Sequence, residues 1–210
     1  MERWPRSVRE LSRVGCDQTT VDVSGTVELG CLRAMDISQN DAAWDDAVQG
    51  LRRGDFSRLD PLFQSMTHSR PQIVEWVEEG RFRGHDRELA EALTCACFNG
   101  RTHVVEYLLN RGIAPSGGAA TGLDAIHWAA NRGQLETVRL LIRHKVPLES
   151  RSMYGGTALG TAVWSAINEP RPDHLAIIEE LLAAGARVQE AGYPTKKDSI
   201  DALLRRYGTK

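Results

Sequence analysis

The chain has 210 residues, of which 41% are hydrophobic and 26% charged, and its formal net charge is −2. These values indicate a single globular domain, and the slight acidic balance argues against a general nucleic-acid binder, which normally carries a basic excess. No apolar run approaches the roughly 18 residues of a membrane span, and residues 1–15 lack the apolar core of a secretory signal. Four cysteines without a pattern favour a reducing compartment. We therefore expect a cytoplasmic protein that neither enters a membrane nor binds nucleic acid.

Residues 1–34 do not share the pattern of the rest of the chain. The segment from Thr20 to Leu29 alternates around Ser24-Gly25 and could form a small hairpin. Met35 would also make a plausible natural start. We therefore interpret residues 1–34 as a flexible N-terminal arm or as an over-extended reading frame.

The next segment, residues 35–85, is predicted to be helical but irregular. WDDAVQGLRRGDF, from Trp44 to Phe56, places Gly54-Asp55 at a turn between two helices. QIVEWVEEG, from Gln72 to Gly80, has the pattern of another short helix ending at a glycine.

A period of 33 residues organises residues 86–191. Glu91, Asp124 and Thr157 follow one another at this spacing, and so do Gly100 and Gly133. The third unit is seven residues longer than the others, and we assign the extra residues to INEPRPD, residues 167–173, which contains two prolines. Such a period is typical of stacked structural repeats.

Each unit is predicted to be two short helices joined by a turn. In the middle unit the first helix covers about Ala125 to Asn131 and the second Leu135 to His144, with Gly133 at the turn. The first helix is too short to be stable alone, and the second has one apolar stripe. Asp124 and Asp173 stand where a carboxylate can cap a helix. Stacking the units would bury their stripes against one another.

The last segment, residues 192–210, is predicted to contain a capping helix. SIDALLRRYG, from Ser199 to Gly208, has an apolar face that could cover the open end of the stack. Its polar residues Asp201, Arg205 and Arg206 would face water.

Three stretches, EALTCACFNG, DAIHWAANRG and TALGTAVWSA, resemble the ankyrin repeat signature T-P-L-H-x-A-A-x-x-G. The resemblance implies an all-α solenoid of stacked helix–turn–helix repeats with short finger turns. Residues 86–191 would form three repeats, the third with its insertion at 167–173. Residues 35–85 would form a divergent N-terminal repeat or cap.

The resemblance also implies a binding surface. Ankyrin-like stacks bind through their finger tips and through the two positions before the turn glycine of each repeat. Here these positions would supply the binding residues Phe98, Asn99, Leu123, Asn131, Arg132, Met153, Tyr154, Trp164 and Ser165. Exposed aromatic residues around an arginine are typical of protein-binding hot spots, and Asn99, Asn131 and Ser165 would form a polar rim. Trp128 is predicted to pack between repeats in the core.

The leading hypothesis is a noncatalytic binding module, a monomer without cofactor or metal, that holds an as yet unidentified protein partner in its concave groove. An alternative is a small-molecule or enzymatic pocket formed by Trp164, Tyr154, Arg132 and His127 beneath the insertion. Against the alternative, His127 occupies the position of the family histidine, which connects neighbouring loops, and Trp164 could instead pack on the insertion. A third possibility is self-association through the ends of the stack.

Overall fold

The computed structural model describes residues 29–65, 70–117 and 119–208. The chain divides into two units, Met1–Asn40 and Asp41–Lys210. Of the first unit, only the start of one helix is described. The predictions for residues 1–28, including most of the hairpin, therefore lie outside the described residues. Leu29 begins a helix, and the boundary predicted after residue 34 falls within that helix.

Ten α-helices and two short 3₁₀ helices, and no strand, occur in the described ranges. The α-helices are α1 (Leu29–Arg53), α2 (Phe56–Leu59), α3 (Gln72–Glu78), α4 (Asp86–Phe98), α5 (Thr102–Asn110), α6 (Ala125–Asn131), α7 (Leu135–Arg143), α8 (Ala158–Asn168), α9 (His174–Ala183) and α10 (Asp198–Gly208), and the 3₁₀ helices are Asp60–Phe63 and Val188–Ala191.

The helices of the repeat region form two parallel layers. Helices α4, α6 and α8 pack side by side as an inner row, and α5, α7 and α9 pack side by side as an outer row. Within each unit the inner helix also packs on the outer helix that follows it. The predicted all-α solenoid of stacked helix–turn–helix units is therefore confirmed.

The turns between inner and outer helices lie where the sequence predicted them. Gly100 and Gly133 have φ values of +67° and +72°, in the region that favours glycine. Gly112 and Gly185 have the same kind of backbone after the outer helices, whereas Lys145 adopts it, at φ +56°, in the middle unit. The chain therefore leaves α4, α5, α6, α7 and α9 through a left-handed residue, which directs it back along the stack.

The core runs between the two rows. Small residues of the inner row, Ala96, Ala129, Ala130 and Ala162, are fully buried and let neighbouring backbones approach closely. On the outer row, Val138 and Leu141 are fully buried, whereas Leu135 and Ile142 of the same predicted stripe are half-buried. The stripes are buried between units, as expected of a stack in which no unit has a core of its own.

Matching hydrogen bonds connect successive units. The Gln134 side chain donates to the Phe98 carbonyl, 36 residues earlier, and the His174 ring lies 3.1 Å from the Asn131 carbonyl, 43 residues earlier. Both contacts join the start of an outer helix to the end of the preceding unit's inner helix. The separations differ by seven residues, which is the number of extra residues in the third unit.

The insertion is only partly a loop. Helix α8 continues through Asn168, so two residues of the predicted 167–173 insertion lengthen the helix. Glu169, which precedes Pro170, has φ −134° and ψ 59° and is no longer helical. A proline disfavours the helical conformation of the residue before it, which explains why the helix ends there.

Helix α10 lies within residues 192–210 and packs against the third repeat unit. Its buried residues are Ile200 and Leu204, and the helix packs on α9. Arg205 is exposed as expected. Asp201 is half-buried instead of facing water, because its carboxylate accepts hydrogen bonds from the backbone and hydroxyl of Thr195 at 2.8 Å and 2.7 Å.

Candidate functional site

Three aromatic rings meet at one end of the inner row. Phe98 is the last residue of α4, and its ring centroid lies 4.9 Å from that of Trp128 on α6 and 5.9 Å from that of Phe56 on α2. Phe56 and Trp128 are 6.4 Å apart. All three pairs are edge-to-face, the arrangement that aromatic quadrupoles favour. The rings therefore hold one another in fixed orientations.

A pocket of about 460 Å³ opens beside these rings. We call it the aromatic pocket, and it is lined by Gly54, Asp55, Phe56, Ser57, Arg58, Phe98 and Trp128. Phe56 is buried, whereas Phe98 and Trp128 are half-buried and keep part of their surface accessible.

Arg132 continues this surface along α6. Its guanidinium carbon lies 4.5 Å from the centroid of the Phe98 ring, within the range of a cation–π contact. Partial burial and repulsion from Arg171 lower the pKa of Arg132. Attraction to Glu169 acts in the opposite direction and does not cancel them. Arg132 thus places a partly desolvated positive charge directly beside the aromatic pocket.

The finger between α7 and α8 presents two exposed side chains. Met153 is 72% exposed and Tyr154 75% exposed. The Met153 backbone N–H donates to the Gly122 carbonyl at 2.9 Å, which joins this finger to the preceding one. Leu123, at the base of the earlier finger, is half-buried. The predicted finger-tip residues are therefore accessible to differing degrees.

Trp164 projects from α8 with 53% of its surface exposed. The alternative that Trp164 packs on the insertion would bury this ring, whereas more than half of its surface is exposed. Its register on α8 matches that of Phe98 on α4 and Asn131 on α6, so these side chains follow one line along the inner row.

The prediction that Ser165 belongs to a polar rim is wrong, because this residue is fully buried. The other two predicted rim residues, Asn99 and Asn131, are half-buried. The Ser165 hydroxyl accepts a 2.9 Å hydrogen bond from the Asn131 amide. The Asn99 amide donates to the Phe56 carbonyl at 2.9 Å and to the Cys95 carbonyl at 3.1 Å. These amides connect neighbouring units, since a buried polar group needs a partner.

His127 does not belong to an accessible pocket. Its ring is fully buried between the Asp124 carboxylate, on Nδ1, and the Gly156 carbonyl, 3.0 Å from Nε2. Asp124 caps α6 as predicted and also accepts a hydrogen bond from Ser150. The ring thus joins the start of α6 to the next finger, and it cannot serve the alternative pocket with Trp164, Tyr154 and Arg132.

Sequence reasoning missed the contribution of Trp128. It was expected in the core between units, but it is half-buried, lines the aromatic pocket and donates from its indole nitrogen to Thr121 at 2.8 Å. The spacing of four residues between Trp128 and Arg132 is a signal that could have placed both on one helix face.

Two further properties of the described residues bear on the site. They include no group of three or more His, Cys, Asp or Glu side chains that could hold a metal ion. No helix among them has the length and apolar character to cross a bilayer.

Comparison with known families gives a match over residues 115–191, which fit the family model described as ankyrin repeats, three copies. The matched segment includes helices α6 to α9. No curated protein matches the chain.

Proposed function

Since the chain is an ankyrin repeat protein, we propose that it is a noncatalytic scaffold or adaptor whose inner-row surface binds a partner protein. Ankyrin repeats are generally protein–protein interaction modules. The surface we propose comprises the aromatic pocket, Arg132, Trp164 and the finger at Met153 and Tyr154.

The observation that supports this proposal is the exposure of large apolar side chains on helix α8 and on the finger that precedes it. Five large hydrophobic residues are exposed in the described part of the chain, and three of them are Met153, Tyr154 and Trp164. Apolar and aromatic groups exposed together mark interaction sites, and Trp, Tyr and Arg are the residues that most often dominate binding energy.

The cysteines support a reducing, cytoplasmic location. Cys95 and Cys97 are free and buried, and burial raises the pKa of both thiols. Thiols of this kind are inert structural residues and form no disulfide. We further propose that the protein acts as a monomer toward its partner.

Site-specific photo-crosslinking tests the proposal in cells. We would place a photoreactive phenylalanine at Tyr154 and, as a matched control, at Leu175, which is also exposed (43%) but lies on outer helix α9. We expect a defined protein adduct from position 154 and none of that mass from position 175.

The Trp164→Ala and Arg132→Ala variants then show whether the adduct depends on the groove. We expect each variant to reduce the adduct from position 154 at least several-fold, because truncated hot-spot residues weaken binding strongly. Equal adducts from positions 154 and 175, or an adduct unchanged by both variants, would contradict the proposal.

A further inference from the structure

One arginine at the end of α6 and one in the insertion have no ion-pair partner in the described part of the chain. Among the described residues neither Arg132 nor Arg171 forms an ion pair, whereas Arg101 pairs with Asp60 at 2.6 Å and Arg151 pairs with Glu190 at 2.8 Å. Neither guanidinium of this pair is neutralised by a carboxylate in ion-pair contact, although Glu169 lies near enough to attract Arg132.

The two unpaired arginines are neighbours. Arg171 belongs to the insertion, and its Cβ and Cδ lie close to Gly133, so that a Cβ atom added at Gly133 would be 3.0 Å from Arg171 Cδ. Gly133 directly follows Arg132. Burial and the nearby charge of Arg171 lower the pKa of Arg132, and the charge of Glu169 offsets only part of this effect. A positive site with a partly desolvated guanidinium results, and it would be stabilised by an incoming anion.

The positive site is continuous with an apolar one. The Phe98 ring contacts both Arg132 and Trp128, at 4.5 Å and 4.9 Å, and Trp128 lines the aromatic pocket. Asp55 and Arg58 also line this pocket, and Arg58 is already paired with Asp46, so a second acidic group inside the pocket is disfavoured. The geometry requires a ligand that carries its negative charge next to, and not within, its apolar part.

We propose that the inner row recognises a peptide segment of its partner in which an Asp or Glu side chain adjoins a bulky apolar side chain. The carboxylate binds between Arg132 and Arg171, and the apolar side chain enters the aromatic pocket. This inference rests on the proposed function, since it names the chemistry of the partner at the same surface.

Selection from a display library of random 12-residue peptides on the full-length protein tests the inference. We expect enriched peptides to contain Asp or Glu within two positions of Trp, Phe, Leu or Met. The best peptide is then synthesised with a fluorescein label, together with a twin in which Gln or Asn replaces the acidic residue, and both are titrated by fluorescence anisotropy.

A double-mutant cycle assigns the acidic residue to its arginines. On the wild-type protein the twin should bind about 10-fold more weakly, as is typical of a lost charged hydrogen bond. On Arg132→Gln or Arg171→Gln the acidic peptide and its twin should bind about equally. Arg171 is exposed, so its variant remains informative if Arg132→Gln is destabilised. Arg143→Gln, at an exposed position of outer helix α7, is the control and should retain the full 10-fold preference.

The outcomes separate the two proposals. Peptides that compete for the groove, and lose binding in Trp128→Ala, but show no acidic preference would overturn the inference and leave the proposed function intact. Peptides whose affinity is unchanged by the aromatic variant and by the arginine variants would overturn both the inference and the proposed function. Aromatic residues with arginine also suit single-stranded nucleic acid, so binding of a labelled oligothymidine that is lost in Arg132→Gln would overturn the peptide assignment.

Discussion

Three of the four tryptophans in the described part of the chain differ in how much of their surface reaches solvent. Trp76 is fully buried, Trp128 is half-buried against Phe98, and Trp164 is 53% exposed. The same side chain therefore contributes to the core, to the wall of the aromatic pocket and to an open surface. Replacing each of these tryptophans by alanine should therefore change the free energy of unfolding by a different amount.

Truncation of the exposed tryptophan should leave stability nearly unchanged. We expect Trp164→Ala to change the free energy of unfolding by less than about 1 kcal/mol, because surface substitutions remove few packed contacts. Trp76→Ala is the matched control and should cost about 3–5 kcal/mol, since it leaves a large cavity. Urea denaturation measures both. A cost for Trp164→Ala close to that of Trp76→Ala would mean that its ring is packed in the core.

Two aspartates that precede helices, Asp124 and Asp173, allow a second comparison. Asp124 caps α6 and also holds His127 and Ser150, whereas Asp173, at the start of α9, makes no side-chain capping bond. We expect Asp124→Ala to cost about 2 kcal/mol or more, because it removes the cap and leaves a buried imidazole without its partner.

Asp173→Ala should cost under about 0.5 kcal/mol, because Asp173 is exposed and makes no side-chain capping bond. Thermal or urea unfolding of the two variants would reveal the difference. Equal losses would contradict the role that the structure gives to Asp124.

At the scale of elements, the insertion is held to the preceding unit by His174. Its Nδ1 accepts from the Arg171 backbone N–H at 3.0 Å, and its other ring nitrogen lies 3.1 Å from the Asn131 carbonyl. An Nδ1 atom that accepts a hydrogen bond carries no proton, so this arrangement requires the neutral ring. Burial and, less strongly, the charge of Arg171 lower the pKa of His174.

This pKa makes the third unit sensitive to acid. The folded pKa lies below the ordinary value of 6.5, so the unfolded chain takes up the proton first as the pH falls. His174 therefore contributes stability that is present above pH 6.5 and is lost as the pH falls through the folded pKa. We expect the wild type to lose more stability between about pH 7.5 and about pH 5.5 than His174→Gln does.

Urea unfolding of both proteins at the two pH values measures the effect, with His103→Gln, at an exposed position, as the control that should follow the wild type. A pH dependence that is the same in wild type and His174→Gln would contradict this account of the insertion.

The elements were predictable because their signals are local. A spacing of 33 residues, a turn glycine at 100 and 133, and apolar stripes are read along the chain, and they locate the inner and outer helices. The insertion was predicted to begin at Ile167, but α8 continues two residues further, through Asn168. Sequence equivalence alone cannot divide seven extra residues between helix and loop.

The whole molecule shows why the candidate site was only partly predictable. Register locates Phe98, Arg132 and Trp164 on the inner row, but it does not show which side chains are buried by contacts with a neighbouring unit. Ser165 is one of these, because its hydroxyl accepts a hydrogen bond from Asn131. Phe56 joins the aromatic pocket from the irregular N-terminal segment, outside the 33-residue period, so the sequence pattern carried no information about it.

The stacked architecture separates stability from binding. The core lies between the inner and outer rows, and each unit is joined to the next by contacts such as Gln134 to Phe98 and His127 to Gly156. The exposed side chains of Met153, Tyr154 and Trp164 lie outside these contacts, whereas the rings of the aromatic pocket pack across units. Substitutions at the three exposed positions can therefore alter partner binding without unfolding the stack.

Hydrogen–deuterium exchange of the full-length protein, with and without the best selected peptide or the crosslinked partner, tests the central claim most directly. We predict slower exchange around Phe98–Gly100, Asn131–Gly133, the finger at Met153 and Tyr154, and the part of α8 that carries Trp164, with α5 and α7 unchanged. Protection confined to the outer row, or to α10 at the end of the stack, would contradict the claim that the inner row is the binding surface.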